Sequence, residues 1–304
     1  MDISDLKSKK ESMLLGSFMA DAFVLGAHWI YDINQIEANF GSYDNPHGPL
    51  PGSWHKGKKL GDYSHYGDQA YLLNEYLRQQ RGQYNADGFR LAWQKMMKDY
   101  QGYVDSASRH SLISFSLGDN IGSQSDELGG AARIAPVIFW IDDPVTALSA
   151  ALDQSRLTHN SPESLLATEL FARTIQSLLA GKDNCLTELV LQAAGQMRGA
   201  GRNMDAFDRY LNQSSSMIGH SAAEIASELG QSCHARHAIP VILAILMSLD
   251  DYRQAMQLNA RIGGDSAARG LIIGAILGAR NVLQDLPPEW LGILRRKPVI
   301  NALE

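Results

Sequence analysis

Leu14-Leu15-Gly16-Ser17-Phe18-Met19-Ala20-Asp21-Ala22-Phe23-Val24-Leu25 is the stretch whose spacing decides the fold. Leu14, Phe18, Ala22 and Leu25 recur at the period of a helix, and Leu15, Met19 and Phe23 widen the apolar stripe. Similar patterns recur near 68–80, 87–104, 145–157, 162–180, 184–197, 204–211, 221–229, 238–248, 251–260 and 267–283. Strand-like alternation is scarce. Caps are expected at Ser161 before Pro162, at Asp205 and at Ser221. The pattern predicts an all-α protein.

Two stretches resist the helical period, 41–66 and 118–133. Irregular stretches of this length in a compact chain are either functional or surface Ω-loops. Neither has the composition of a linker, so a single domain over 1–304 is expected. A chain of 304 residues is long enough to bury a large core. With 45% apolar and 20% charged residues, disorder is excluded as the main state.

The net charge is −6, and the densest basic clusters are Lys56-Gly57-Lys58-Lys59 and Arg295-Arg296-Lys297. A nucleic-acid surface needs a broad basic face, and none is present in the pattern. Cys185 and Cys233 are too few for a secreted disulfide framework. The start, Met1-Asp2-Ile3-Ser4-Asp5, lacks a signal pattern. The longest apolar runs, 238–249 and 271–279, fall short of the roughly 18 residues of a spanning helix. No membrane partner is expected, and the cytoplasm is the expected location.

Five segments carry chemistry. Continuing the opening helix, Asp21 and His28 fall within ~20° of each other at 100° per residue, on the apolar side. Either a helix end delivers both into a cleft, or Asp21 is a buried carboxylate bonded to backbone or a neighbour and His28 is satisfied at the helix end. His65-Tyr66-Gly67-Asp68-Gln69 leads from the first irregular stretch into a helix. Asp68 there serves the helix dipole, or is one hard oxygen donor for Mg or Mn. Gly129-Gly130-Ala131-Ala132-Arg133 offers close backbone approach and a guanidinium for a phosphate. Thr158-His159-Asn160-Ser161 is a polar turn that would face a ligand or simply cap the next helix. Gly263-Gly264-Asp265-Ser266 permits an unusual turn before a helix with Gly270, Gly274 and Gly278 four apart, a stripe for tight packing in a bundle centre. Asp265 is then an N-cap or a carboxylate aimed into a cavity. Cys233 and His237 have a chelating spacing without a second ligand pair, and no Gly-x-Ser-x-Gly elbow occurs.

In order, these five segments resemble the ADP-ribosylglycohydrolase superfamily, which includes the dinitrogenase-reductase-activating glycohydrolases and the lens J1 crystallins. The resemblance spans about residues 11–292, ending at Leu286-Pro287-Pro288-Glu289-Trp290, similar to the family's Ile-Pro-x-x-Trp. It implies a compact all-α bundle. It also implies cleavage of a glycosidic bond between ADP-ribose and an acceptor, with two Mg or Mn ions in a central cleft.

The family's Gly-Asp-Ala-Leu-Gly falls on Ala20-Asp21, with its later Glu at His28. Its Thr-Asp-Asp-Thr falls on Tyr66-Gly67-Asp68-Gln69, and its Gly-Gly-Asp-x-Asp-Thr on Gly263 to Ala268. Asp68 and Asp265 remain as metal candidates, while Gly67, Ala267 and Ala268 replace family ligands. One Mg (or Mn) ion at most is expected, or none. The runs His28-Trp29-Ile30-Tyr31-Asp32 and Tyr66-Gly67-Asp68-Gln69 resemble the J1-crystallin-like branch, which keeps the fold and departs from the metal motifs.

The resemblance implies a hydrolase of an ADP-ribosyl or related nucleotide-sugar bond. His28, Asp21 and Asp68 would be catalytic, and Arg133, Gly129, Gly130, His159 and Tyr66 would touch a small-molecule or ADP-ribosylated substrate. The alternative is a non-catalytic protein that keeps the cleft and binds ADP-ribose or a nucleotide sugar.

Overall fold

The computed structural model describes residues 3–301. Among them are fifteen α-helices and no strand, only a bridge between Glu127 and His234. The first half contains α1 (Ile3–Val24), α2 (Ile33–Phe40), α3 (His65–Gln79), α4 (Ala86–Lys98), α5 (Ser106–Ser116), α6 (Ile134–Trp140) and α7 (Pro144–Arg156). The second contains α8 (Pro162–Leu179), α9 (Leu186–Gly199), α10 (Asp205–Ser215), α11 (Ala222–Leu229), α12 (Ala235–Ser248), α13 (Tyr252–Ile262), α14 (Ser266–Arg280) and α15 (Pro288–Ile293).

The glycine stripe does what its spacing predicts. A Cβ on Gly274 would stand 2.4 Å from the carbonyl oxygen of Gly16, and one on Gly278 would stand 2.4 Å from that of Ser12. Only hydrogen at these positions lets α1 and α14 touch backbone to backbone. Ser17 Oγ donates to Leu271 O (2.8 Å) across the same seam, and Tyr252 Oη of α13 donates to Gly16 O (2.5 Å) beside it. The core around this pair takes in Phe18, Phe23, Trp93, Phe171 and Trp290, all buried. No helix among the described residues is long and apolar enough to cross a membrane.

Ser161 caps α8 by accepting Ser164 N–H (3.1 Å), and Ser221 with Glu224 forms a capping box on α11. At α10 the expected cap differs: Asp205 is inside the helix, and Asn203 Oδ1 accepts its N–H (2.9 Å). The helix expected over 87–104 stops at Lys98, and Asp105 starts a separate helix by accepting Ser108 N–H (2.6 Å). The first irregular stretch ends at Ser64 rather than 66, because Ser64 Oγ accepts the N–H groups of Tyr66 and Gly67. The second ends in a 3-10 turn over Leu128–Arg133.

Candidate functional site

Four elements converge beyond the C-terminus of α1: the 25–32 turn, the start of α3, the Leu128–Arg133 turn with Thr158-His159, and the start of α14. Gly263 and Gly264 take φ of +71° and +57°, where a side chain is strained. A Cβ on Gly264 would also lie 2.2 Å from Gln231 O. This left-handed turn pairs with the end of α1: Trp29 N–H donates to Gly264 O and Gly264 N–H to Ile30 O, both at 2.7 Å. Trp29 itself has φ +64°, a costly conformation for an indole residue, held by that pairing.

The pairing sets His28 against Asp265. His28 Nδ1 accepts the N–H of Ala267 (3.3 Å), so its proton sits on Nε2. That nitrogen faces Asp265 Oδ1 at 3.8 Å, both side chains fully buried. Neither Asp265 oxygen has a hydrogen bond of ordinary geometry, and neither does His28 Nε2. Trp29 and Tyr66 lie near enough to favour the charged carboxylate without closing such a bond. Burial pushes the Asp265 carboxyl up to about 7, against the pull of the Arg269 guanidinium. Burial, with His55, His65 and Arg269 adding to it, holds the His28 imidazole well below its usual range, so it is neutral at pH 7. Arg269 donates to Asn259 Oδ1 (3.0 Å) and to Gly263 O, and its Nη1 is unpartnered.

Two further imidazole–carboxylate pairs adjoin. His65 Nε2 lies 3.6 Å from Asp105 Oδ2, and His159 Nε2 lies 3.9 Å from Glu127 Oε2. Burial lowers His65 to about 4 and His159 to about 3, although Asp105 opposes both shifts. His159 Nε2 and both ring nitrogens of His65 lack hydrogen-bond partners. Unpartnered buried polar atoms are rare, and a group of them in one place calls for a partner, water or a bound polar group.

The other residues expected at the site have different partners. Asp21 Oδ2 accepts Ser64 N–H (2.8 Å) and Oδ1 accepts Ser64 Oγ–H (2.5 Å), so the carboxylate anchors the start of α3. Burial raises Asp21 to about 7 in spite of the Ser64 bonds. Asp68 is enclosed by Lys58, Arg296 and Tyr100, whose Oη donates at 2.6 Å. Arg133, expected to meet a phosphate, is buried: it donates to Gln69 Oε1 (2.7 Å), Gln154 Oε1 (3.0 Å), Gln154 O (3.1 Å) and Thr158 Oγ1 (2.6 Å). Its guanidinium braces the turn and is not presented to the site. Gly129 and Gly130 lie beneath the site's rings. A Cβ on Gly129 would stand 2.7 Å from Tyr66 Cε1 and 2.9 Å from His159 Cε1.

The sequence reading missed Trp29, His55, Asp105, Glu127 and Arg269 as site neighbours. His55 and Glu127 do fall in the two irregular stretches, which was their one available signal. Cys233 and His237 form no chelate, because the thiol donates to Glu127 Oε1 (3.2 Å) and His237 Nδ1 pairs with Ser232 Oγ (2.7 Å).

The donor set does not fit a pair of divalent cations. Asp68 is already neutralised by two cationic side chains, Asp21 is bonded to Ser64, and Gly67, Ala267 and Ala268 supply no donor. The two metal candidates, Asp68 and Asp265, have no partner in common. No group of three His, Cys, Asp or Glu side chains among the described residues is placed to hold a metal.

A family profile described as ADP-ribosylglycohydrolase matches residues 2–304. The chain belongs to the ADP-ribosylglycohydrolase family. Within that family it is similar to two Tripedalia cystophora proteins. Crystallin J1A is 22% identical over 96% of this chain and 93% of its own length. Crystallin J1B is 24% identical over 99% and 96%. Among solved structures, an ADP-ribosylglycohydrolase-related protein complex superposes with a TM-score of 0.69 at 20% identity, covering 96% of this chain and 94% of that one. At that identity the likeness speaks for the ADP-ribosylglycohydrolase fold, which agrees with the all-helical reading of the sequence.

Proposed function

We propose that this chain hydrolyses a glycosidic bond to an ADP-ribosyl or related nucleotide-sugar group, with Asp265 as the proton-transferring residue. The observation that carries the reading is a buried carboxylate with no hydrogen bond of ordinary geometry to either oxygen, Trp29 and Tyr66 close by, 3.8 Å from the Nε2–H of a neutral histidine. A carboxyl raised to about 7 is populated in both forms near neutral pH, which suits an acid that must also act as a base.

In the forward step the protonated Asp265 gives its proton to the leaving nitrogen or oxygen as the bond to the anomeric carbon breaks. The electron pair of that bond goes to the leaving atom. Water then adds to the anomeric carbon, and its proton returns to the Asp265 carboxylate. His28 Nε2–H is a fixed donor for a ribose oxygen. His65, His159 and Tyr66 add donors or acceptors around it, and Asp21 and Asp68 position the α3 side from a distance. No step is routed through a metal ion, because the donors do not fit one.

A second reading has its own support. Asp265 is fully buried, and Asp21 and Asp68 are tied into hydrogen bonds and ion pairs, which favours a descendant that binds ADP-ribose without turnover. The test is hydrolysis of ADP-ribosyl-arginine and ADP-ribosyl-serine peptides with Mg, with Mn and with chelator, alongside calorimetry with ADP-ribose. Turnover that Asp265→Asn lowers about 100-fold or more, in line with loss of a positioned acid, supports the hydrolase. Affinity without turnover supports the second reading. Neither turnover nor affinity refutes both.

A further inference from the structure

A cavity of about 530 Å³ opens beside Asp68, and its lining shares no residue with the Asp265–His28 site. Lys56, Lys58 and Arg296 bring positive charge to its wall, and Asp68 and Glu75 bring negative charge. Glu75 is met from outside the cavity by Arg78, which donates to its Oε2 from Nε (3.1 Å) and Nη2 (2.8 Å). Asp68 is met twice over, by Lys58 on Oδ2 and by Arg296 on Oδ1, and Tyr100 Oη adds a neutral donor at 2.6 Å. One cation suffices to balance one carboxylate. Lys56 has no ion pair among the described residues, so the wall keeps a surplus of positive charge.

Arg296 is fixed from several sides. Its guanidinium lies 4.7 Å over the Tyr71 ring and 5.5 Å over that of Tyr63, Nη2 is tied to Asp68, and its backbone O accepts the Tyr63 hydroxyl. The chain on either side is pinned as well: Arg295 N–H donates to Gly61 O (3.0 Å), and Val299 O accepts from Asn74 Nδ2 (3.2 Å). Yet the side chain is 47% exposed, and Nε and Nη1 have no hydrogen-bond partner among the described residues. A guanidinium is planar with its donors in a fixed plane, so this hold leaves the remaining N–H groups already oriented. The rotamer freedom that a mobile arginine loses on binding has here been lost on folding.

We propose that this cavity binds a small molecule through an oxyanion, a carboxylate or phosphate group, with Arg296 as its main anchor and Lys56 as the second. An oxyanion balances the surplus charge and takes the donors that Asp68 leaves over. Leu72 and Met96, also in the wall, give apolar cover to the rest of such a molecule. The site is independent of the hydrolase reading, because it uses none of that reading's residues.

The test titrates inorganic phosphate and, separately, malonate into the full chain at physiological ionic strength, by calorimetry, with the phosphorus NMR line width as a second reading for phosphate. The wild-type chain is expected to bind at least one of them at about 1 mM or tighter. Arg296→Gln should weaken that binding about tenfold or more, and Arg296→Lys should weaken it less, since the charge stays and only the fixed donor geometry goes. Lys56→Gln, which breaks no contact in the free chain, should weaken it about threefold. Thermal melts establish that each variant folds. Binding of phosphate alone assigns the site to phosphate-bearing molecules, and binding of malonate alone assigns it to carboxylates. Binding of neither overturns the proposal. So does an affinity unchanged in folded Arg296→Gln, or unchanged in Lys56→Gln where Arg296→Gln does not fold.

Discussion

Asparagine in place of Asp265 should remove a specific part of the pH dependence of stability. The carboxyl stands at about 7 in the folded chain against an ordinary 3.8, because burial disfavours its charge. Well below pH 3.8 it is neutral both folded and unfolded, and that share of the stability is fully present. As pH rises from there, the unfolded chain ionises first and the folded state loses ground. The loss is complete once pH has passed the folded value near 7. At about 1.4 kcal/mol per pKa unit, a rise of roughly three units corresponds to about 4 kcal/mol. Asparagine carries no such charge, so the wild type should lose about 4 kcal/mol relative to Asp265→Asn between pH 3.5 and 8.5. For a chain of this length, with about 2.1 cal/mol/K of unfolding entropy per residue, that is a relative shift of about 6 °C in Tm. Asp21, raised in the same way, and the lowered imidazoles of His65 and His159 also tilt the wild-type curve, but they are present in both proteins and largely cancel in the difference. Thermal or urea melts of the two proteins across that range are the assay. A difference in stability that stays constant with pH would refute the assignment of a buried, proton-exchanging carboxyl at this position.

Gly67→Asp puts back a carboxylate where the family has one, yet it should not create a metal site. Its Cβ would stand 2.2 Å from Asp21 Oδ2, so it should break the Asp21–Ser64 anchor and destabilise the chain by about 2 kcal/mol or more. Calorimetry should detect no Mg binding, and stoichiometric Mg binding by a fully stable variant would contradict this. Gly264→Ala forces a side chain into a left-handed turn and against Gln231 O, at a cost of about 1–3 kcal/mol from the backbone alone. An unchanged urea midpoint would show that the turn does not hold the site together.

The long helices were legible because apolar residues recur at helical spacing over three turns or more, as in α8, while α1 and α14 are buried on every face from Ser12 and Ser266 onward and read as apolar throughout. α2, α6 and α15, of 8, 7 and 6 residues, are too short for a period to register. Asp265 and its glycine pair could be singled out from local spacing, since a left-handed turn has a residue signature. Arg133 was misread because its partners come from elsewhere in the chain, Gln69 on α3 and Gln154 with Thr158 at the end of α7, and spacing within its own segment says nothing about them. Asp68 had the same problem: Lys58 and Arg296 reach it from far apart in the chain, and those contacts turn a candidate ligand into an ion-paired strut.

The seam between α1 and α14 also bears on how the protein is made. α1 carries Leu14, Phe18 and Phe23 around Gly16, and α14, whose glycine stripe packs on it, follows some 250 residues later in the chain. At 5–20 residues per second, α1 waits roughly 13–50 s for its partner. Throughout that interval its apolar stripe must rest on provisional neighbours or on a chaperone. Asp265 meets His28 only after the wait ends, so a nascent chain stalled before α14 holds every imidazole of the site without the carboxylate opposite His28.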